Sequence, residues 1–362
     1  MTASILALVA LAAVAPSHAA AGSPPNAKLA AVVDRVVKAE MAKHGTPGMV
    51  VAIVDHGQVA LQKAYGHRRV LGPPPTENTV FQVAGFSKVA TAMGALLLVD
   101  QGRLDLDQPA KTYVQGLPPA WRDVTTRQFL THTSGIPHVG PSTSFDLVLL
   151  QAFHDPLRFA PGSDQDYLEL NYAVVGKILD AITRRRILDF LIPSLFRPLG
   201  MTTTGTELRS IDRSFGYVPI PGGLRTAPRD PIASTYQFPA SGLQSTMSDL
   251  LKMDAAIRNR QLLKPATWEQ MWKPVVPPGK GRPWTYSPGW QTFPVAGAPA
   301  FATGGKFSGY RSFYEIVPGR QLSLLLLANL DSGDNTLWTA AAKILHDAYG
   351  ITQPKGVKGA ED

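Results

Sequence analysis

Phe81-Gln82-Val83-Ala84-Gly85-Phe86-Ser87-Lys88 leads into Val89-Ala90-Thr91-Ala92-Met93-Gly94-Ala95-Leu96-Leu97-Leu98-Val99, a run without a single charge after Lys88. Gly102 closes it, and Leu104-Asp105-Leu106-Asp107 and Pro109 turn the chain away, so the pattern predicts a helix from Lys88 to Gln101. Phe86, Val89 and Leu96 give Lys88 apolar neighbours, so its amine is expected to go inside with the helix. A buried ammonium then needs a partner elsewhere in the chain.

Upstream of this run, Leu29, Val32, Val33, Val36, Val37 and Met41 recur at three- and four-residue steps and predict an amphipathic helix from Lys28 to Lys43. Met49 to Val54 and Val59 to Tyr65 are β-rich and are parted by Asp55-His56-Gly57-Gln58, the pattern of a hairpin. Downstream, helical patterns fill Trp121 to about Arg197. Pro219 to Pro231 and Pro274 to Pro288 lack periodicity and read as long loops. Gln291 to Phe293, Ser312 to Val317 and Leu322 to Ala328 read as strands, and Thr336 to Tyr349 as a last helix. Strands and a helix at both ends, with helices between, predict an α+β fold: an antiparallel sheet flanked by terminal helices, plus an inserted helical lobe. The domain is expected over about 24–350, with the sheet lobe at 24–80 and 236–350, the helical lobe at 81–235, and a tail at 351–362.

The chain has 362 residues, 44% of them hydrophobic, which is enough for a large core and excludes a disordered or fibrous protein. It has no cysteine, so disulfide frameworks, thiolate metal sites and cysteine nucleophiles are excluded together. The net charge of +8 is scattered; its densest run is Arg184-Arg185-Arg186, which reads as a solvated helix end, and no nucleic-acid partner is expected. Residues Met1 to Ala19 hold an apolar run, Ile5 to Ala15, followed by Ser17-His18-Ala19, and predict a signal peptide and export to the periplasm or beyond. No later stretch has the roughly 20 apolar residues of a membrane span. His132 and His138 lack a third ligand, and Phe307 follows Gly304-Gly305-Lys306 where a phosphate-binding loop needs Ser or Thr, so neither a metal nor a cofactor is expected.

Four segments carry a resemblance: Phe81 to Lys88, Leu130-Thr131-His132-Thr133-Ser134-Gly135-Ile136-Pro137, Pro198-Leu199-Gly200-Met201-Thr202 and Gly242-Leu243-Gln244-Ser245-Thr246. In this order and spacing they resemble the serine β-lactamase-like superfamily, which includes class C β-lactamases, D-alanyl-D-alanine carboxypeptidases and related esterases. The resemblance covers about Lys28 to Gly350. It implies acyl transfer by a helix-start Ser-x-x-Lys, assisted by Tyr-x-Asn and by Lys or His before x-Gly on an edge strand, where backbone amides hold the substrate oxyanion.

Residue by residue, the carried-over chemistry is broken. Lys88 matches the lysine, but Gly85 stands three residues before it, at the nucleophile position. Ser87 lies about 200° round the helix from Gly85 and is expected to point elsewhere. The second motif falls on Tyr167-Leu168-Glu169, with Glu169 in place of asparagine, and the third on Thr303-Gly304-Gly305, with Thr303 in place of Lys or His. The resemblance thus places Lys88 and Tyr167 as remaining catalytic-motif residues, and Gly85, Glu169, Thr303, Gly305 and Lys306 around the cleft. His132 and Ser134 belong to a turn in the family, and no dyad is expected of them. Lys88 and Glu169 are expected within about 4 Å, and the amides of Gly85 and Lys306 are expected to converge on an oxyanion position. Three functions follow: an acyl-transfer-silent protein that keeps a cleft for a small acyl or peptidoglycan-like ligand, a hydrolase using water or another nucleophile, or a partner-binding scaffold. The altered motifs favour the first.

Overall fold

The computed structural model describes residues 26–357, except 141, 143, 207, 229–236, 278–281 and 334–335. The expected leader, Met1 to Ala19, lies outside the described residues. The helices are α1 (Ala27–His44), α2 (Phe86–Asp100), α3 (Thr126–Leu130), α4 (Phe145–Gln151), α5 (Glu169–Thr183), α6 (Ile187–Leu191), α7 (Phe238–Ser241), α8 (Met247–Arg258), α9 (Pro265–Met271) and α10 (Thr336–Tyr349). The strands are β1 (Gly48–Asp55), β2 (Gln58–Gly66), β3 (Phe81–Gln82), β4 (Tyr217–Ile220), β5 (Gly223–Thr226), β6 (Gln244–Ser245), β7 (Thr285–Ser287), β8 (Trp290–Val295), β9 (Ala298–Phe307), β10 (Tyr310–Val317) and β11 (Leu322–Ala328).

Seven strands form one antiparallel sheet in the order β2-β1-β11-β10-β9-β8-β7, joining the two ends of the chain. Leu322-Ser323-Leu324-Leu325-Leu326-Leu327-Ala328 is buried throughout because both faces of the sheet are covered. Leu324 and Leu326 face an outer core under α1 and α10, while Leu325 and Leu327 face an inner core shared with the helical lobe. Each strand's period of two therefore feeds two separate cores. The observed architecture is the α+β sandwich that the sequence pattern predicts.

Some boundaries differ from those predicted. α2 starts two residues early, at Phe86, because the Ala84 and Gly85 carbonyls already accept from the amides of Ser87 and Lys88. The stretch read as a loop from Pro219 contains the β4–β5 hairpin, where Pro219 is tolerated because the pair is two-stranded. The second predicted loop ends in β7, and β9 was legible only through its motif. In the segment read as a tail, Ile351 is buried in the outer core and Gln353 donates to the Glu315 carboxylate.

Candidate active site

The helical run that opens the sequence argument places Lys88 one turn inside the start of α2. Its side chain is 5% exposed. Its Nζ donates to the Ala240 carbonyl at 3.0 Å, faces Glu169 Oε1 at 3.6 Å and lies 5.1 Å from the centre of the Tyr167 ring. The separation from Glu169 is inside the 4 Å expected for an ion pair. Glu169 is the first residue of α5, where the positive end of the helix dipole favours a carboxylate. The ammonium's desolvation is thus offset by a charge, a carbonyl and an aromatic face.

Beneath Tyr167 lies His132, with 4.7 Å between ring centres, and Tyr286 is equally close to His132. His132 Nδ1 accepts from the Leu168 amide at 3.3 Å and faces the Asn171 amide nitrogen at 3.2 Å. Two donors on Nδ1 put the ring proton on Nε2. Burial first, and the Lys88 charge second, hold the imidazole pKa well below its usual value, so it is neutral. Ser134 Oγ donates to Asn171 Oδ1 at 2.6 Å. Asn171 therefore separates the two residues and uses both as structural partners, as expected of a turn. Ser87 points away from the cleft, its Oγ accepting from the Leu243 amide at 3.0 Å.

Gly85 has φ −56° and ψ −20°, an ordinary helical conformation, so glycine is not required there for its backbone angles. It is required for space. A Cβ on Gly85 would stand 2.7 Å from the carbonyl carbon and 2.9 Å from the nitrogen of Gly304 on β9, with the Gly304 oxygen closer still. Thr303 closes the same contact by donating from Oγ1 to the Gly85 carbonyl at 3.1 Å. Without a side chain at 85, strand and helix start meet backbone to backbone.

What remains between them is a cavity of about 30 Å³, lined in part by Lys88, His132, Tyr167, Gln291, Thr303 and Trp338. That volume suits one water. The two amides expected to frame an oxyanion site belong to Gly85, at the start of α2, and to Lys306, on β9. Gly85 is covered by Gly304, and Gly305 and Lys306 continue the β9–β10 ladder opposite Ser312 and Arg311. Neither Gly85, Gly305, Lys306 nor Glu169 lines the cavity. Glu169 instead borders a second hollow of about 260 Å³, walled by Val139, Val148, Leu168, Leu170 and Ala173. Motif reasoning missed Gln291 and Trp338. Gln291 is buried with both amide atoms unpartnered among the described residues, and nothing in the local pattern of β8 marks it.

An antiparallel sheet between helices, with Lys88 buried near the start of α2 and a half-buried Tyr167 just ahead of α5 facing its amine, is the architecture of the β-lactamase-like fold. The β-lactamase family profile matches residues 33–346, and the chain belongs to that family. Protein flp of Staphylococcus aureus (strain N315) is 23% identical over 324 residues, which cover 83% of this chain and 63% of that protein. Penicillin-binding protein 4* of Bacillus subtilis (strain 168) is 26% identical over 315 residues, covering 79% of this chain and 69% of that protein. The chain thus spans somewhat less than two thirds of flp. Among solved structures, an octameric penicillin-binding protein homologue from Pyrococcus abyssi aligns with TM-score 0.78 at 22% identity, covering 91% of this chain and 79% of that one. The D-alanine carboxypeptidase AmpC from Burkholderia cenocepacia aligns with TM-score 0.75 at 23% identity, covering 88% and 99%.

Proposed function

We propose that this chain is an exported β-lactamase-family protein that is silent in serine acyl transfer and acts by binding. The observation that carries the reading is the packing of Gly304 against Gly85: the nucleophile is missing and the room for one is filled. The Lys88–Glu169 pair supports it, since an ammonium paired with a carboxylate is a poor general base. Loss of the nucleophile in a serine hydrolase costs about 10⁶ in kcat, leaving at most roughly 10³ to 10⁴ over water from binding and polar groups. We assign a small acyl or peptidoglycan-like ligand to the 260 Å³ hollow that Glu169 borders, because Glu169 joins it to Lys88 while the space at Lys88 itself is only about 30 Å³.

Intact-mass analysis after incubation with penicillin G and a p-nitrophenyl ester tests the reading. The expected result is an unchanged mass and no burst of nitrophenol. A penicilloyl or acyl mass shift overturns it, and peptide mapping then names the nucleophile. Binding is read separately, as a concentration-dependent rise in Tm with penicillin G or a D-alanyl-D-alanine peptide.

A further inference from the structure

Ten large apolar side chains are exposed among the described residues, and five of them, Val70, Leu71, Ile211, Phe215 and Ile220, fall on three adjoining segments. Two of these, Leu71 at 97% and Ile211 at 98%, are almost fully in solvent. Hydrogen bonds tie the segments into one surface. The Phe215 amide donates to the Arg68 carbonyl at 2.8 Å, and the Val70 amide donates to the Tyr217 hydroxyl at 3.0 Å. The Arg68 guanidinium is paired with Asp212. The Tyr217 amide is bound to the Gly309 carbonyl at 3.0 Å, which anchors this surface to the β9–β10 turn.

The tips are held out by rigid turns. Arg68 and Pro73 close a loop by a 3.0 Å backbone hydrogen bond, Gly72 donates back to Arg69 at 2.8 Å, and Leu71 at the apex has φ +57°. A leucine in the left-handed region is strained, and its exposure to water adds no burial to offset that. Charge surrounds the tips. Residues 67–80 and 207–228 carry five arginines, Arg68, Arg69, Arg209, Arg213 and Arg225, against three acids, Glu77, Glu207 and Asp212; since Arg68 and Asp212 are paired with each other, four arginines stand against two acids. Asp212 is turned inward, bound by Arg68, Thr76 and Thr79.

We propose that this face docks the protein onto an anionic phospholipid bilayer. Apolar turn tips ringed by arginine insert at the headgroup boundary while guanidinium groups meet lipid phosphates. A second protein would have to supply pockets for convex tips, whereas a fluid bilayer receives them without a preformed shape. A soluble polyanion would use the arginines and leave Leu71 and Ile211 without a role.

Amide hydrogen exchange of the full chain, with and without vesicles, tests the proposal because it localises the contact. Vesicles of phosphatidylcholine with about 30% phosphatidylglycerol should slow exchange in 67–75 and 209–226, pure phosphatidylcholine should not, and about 0.5 M salt should reverse the effect. The double variant Leu71→Asn, Ile211→Asn should weaken the protection at least about tenfold in lipid concentration. Asn tolerates positive φ, so the fold is kept. Protection absent from these segments, or equal in the double variant, overturns the proposal. So does a dimer in solution that the double variant dissolves, since the apolar tips would then belong to a second copy.

Discussion

Gly85→Ala measures whether the cleft is closed. At an ordinary helix start with φ −56°, replacing glycine by alanine should stabilise by about 0.5–1 kcal/mol through the unfolded chain. Here the added methyl meets three backbone atoms of Gly304 within 3.0 Å, and no flexible side-chain end is available to swing aside. β9 must move, and with it the 3.1 Å Thr303–Gly85 hydrogen bond and the ladder to β10. Overpacking costs about 1–3 kcal/mol, and the hydrogen bond about 1 kcal/mol more. The net expectation is a loss of about 1–3 kcal/mol. At about 2 °C per kcal/mol for a chain of this size, Tm falls by about 2–6 °C. Guanidinium denaturation should show a lower midpoint with an unchanged slope. A neutral or stabilised Gly85→Ala would refute the reasoning, because it would mean that β9 stands off from the helix and the family's cleft is open. Gly85→Ser carries the same Cβ, so it should lose stability without gaining an acyl adduct.

Glu169→Gln should destabilise more than Lys88→Met: the first leaves a 5%-exposed ammonium without its carboxylate, while the second removes the charge and keeps the volume. With the Glu169 side chain 35% exposed, water replaces part of the lost attraction, and about 1–2 kcal/mol is expected by denaturant titration. Glu315 supplies a pH dependence. Burial first raises its pKa from 4.5 to about 8, so between those values the folded state holds a proton that the unfolded state has released. Stability therefore falls as pH rises through this window, by up to about 1.4 kcal/mol per pH unit. His132, with its pKa depressed from 6.5, acts oppositely and loses stability as pH falls below 6.5. The two oppose each other below 6.5 and leave Glu315 alone above it. His132 is common to both proteins, so thermal melts of Glu315→Gln and the parent should diverge progressively from pH 4.5 to about 8, the variant losing less; parallel curves would remove Glu315 from the account.

The elements needed for the fold were visible locally. The uncharged helix after Lys88, the hairpin around His56-Gly57 and the leucine run of β11 each carry their own period and stop signals, because an element buried on a defined face must repeat apolar residues at that face's spacing. The absence of a serine three residues before Lys88, and the glutamate at 169, are likewise plain in the chain. β4, β5 and β7 were not legible, since strands of three or four residues, with proline in β4 and glycine in β5, are held by their partners' hydrogen bonds and not by propensity. The state of the cleft was also decided elsewhere. Whether a glycine leaves an open hole or draws in a neighbour depends on atoms more than two hundred residues away, here Thr303 and Gly304. Close packing is a property of surfaces brought together by the sheet order, so only the tertiary structure could show which backbone stands where a side chain on Gly85 would go.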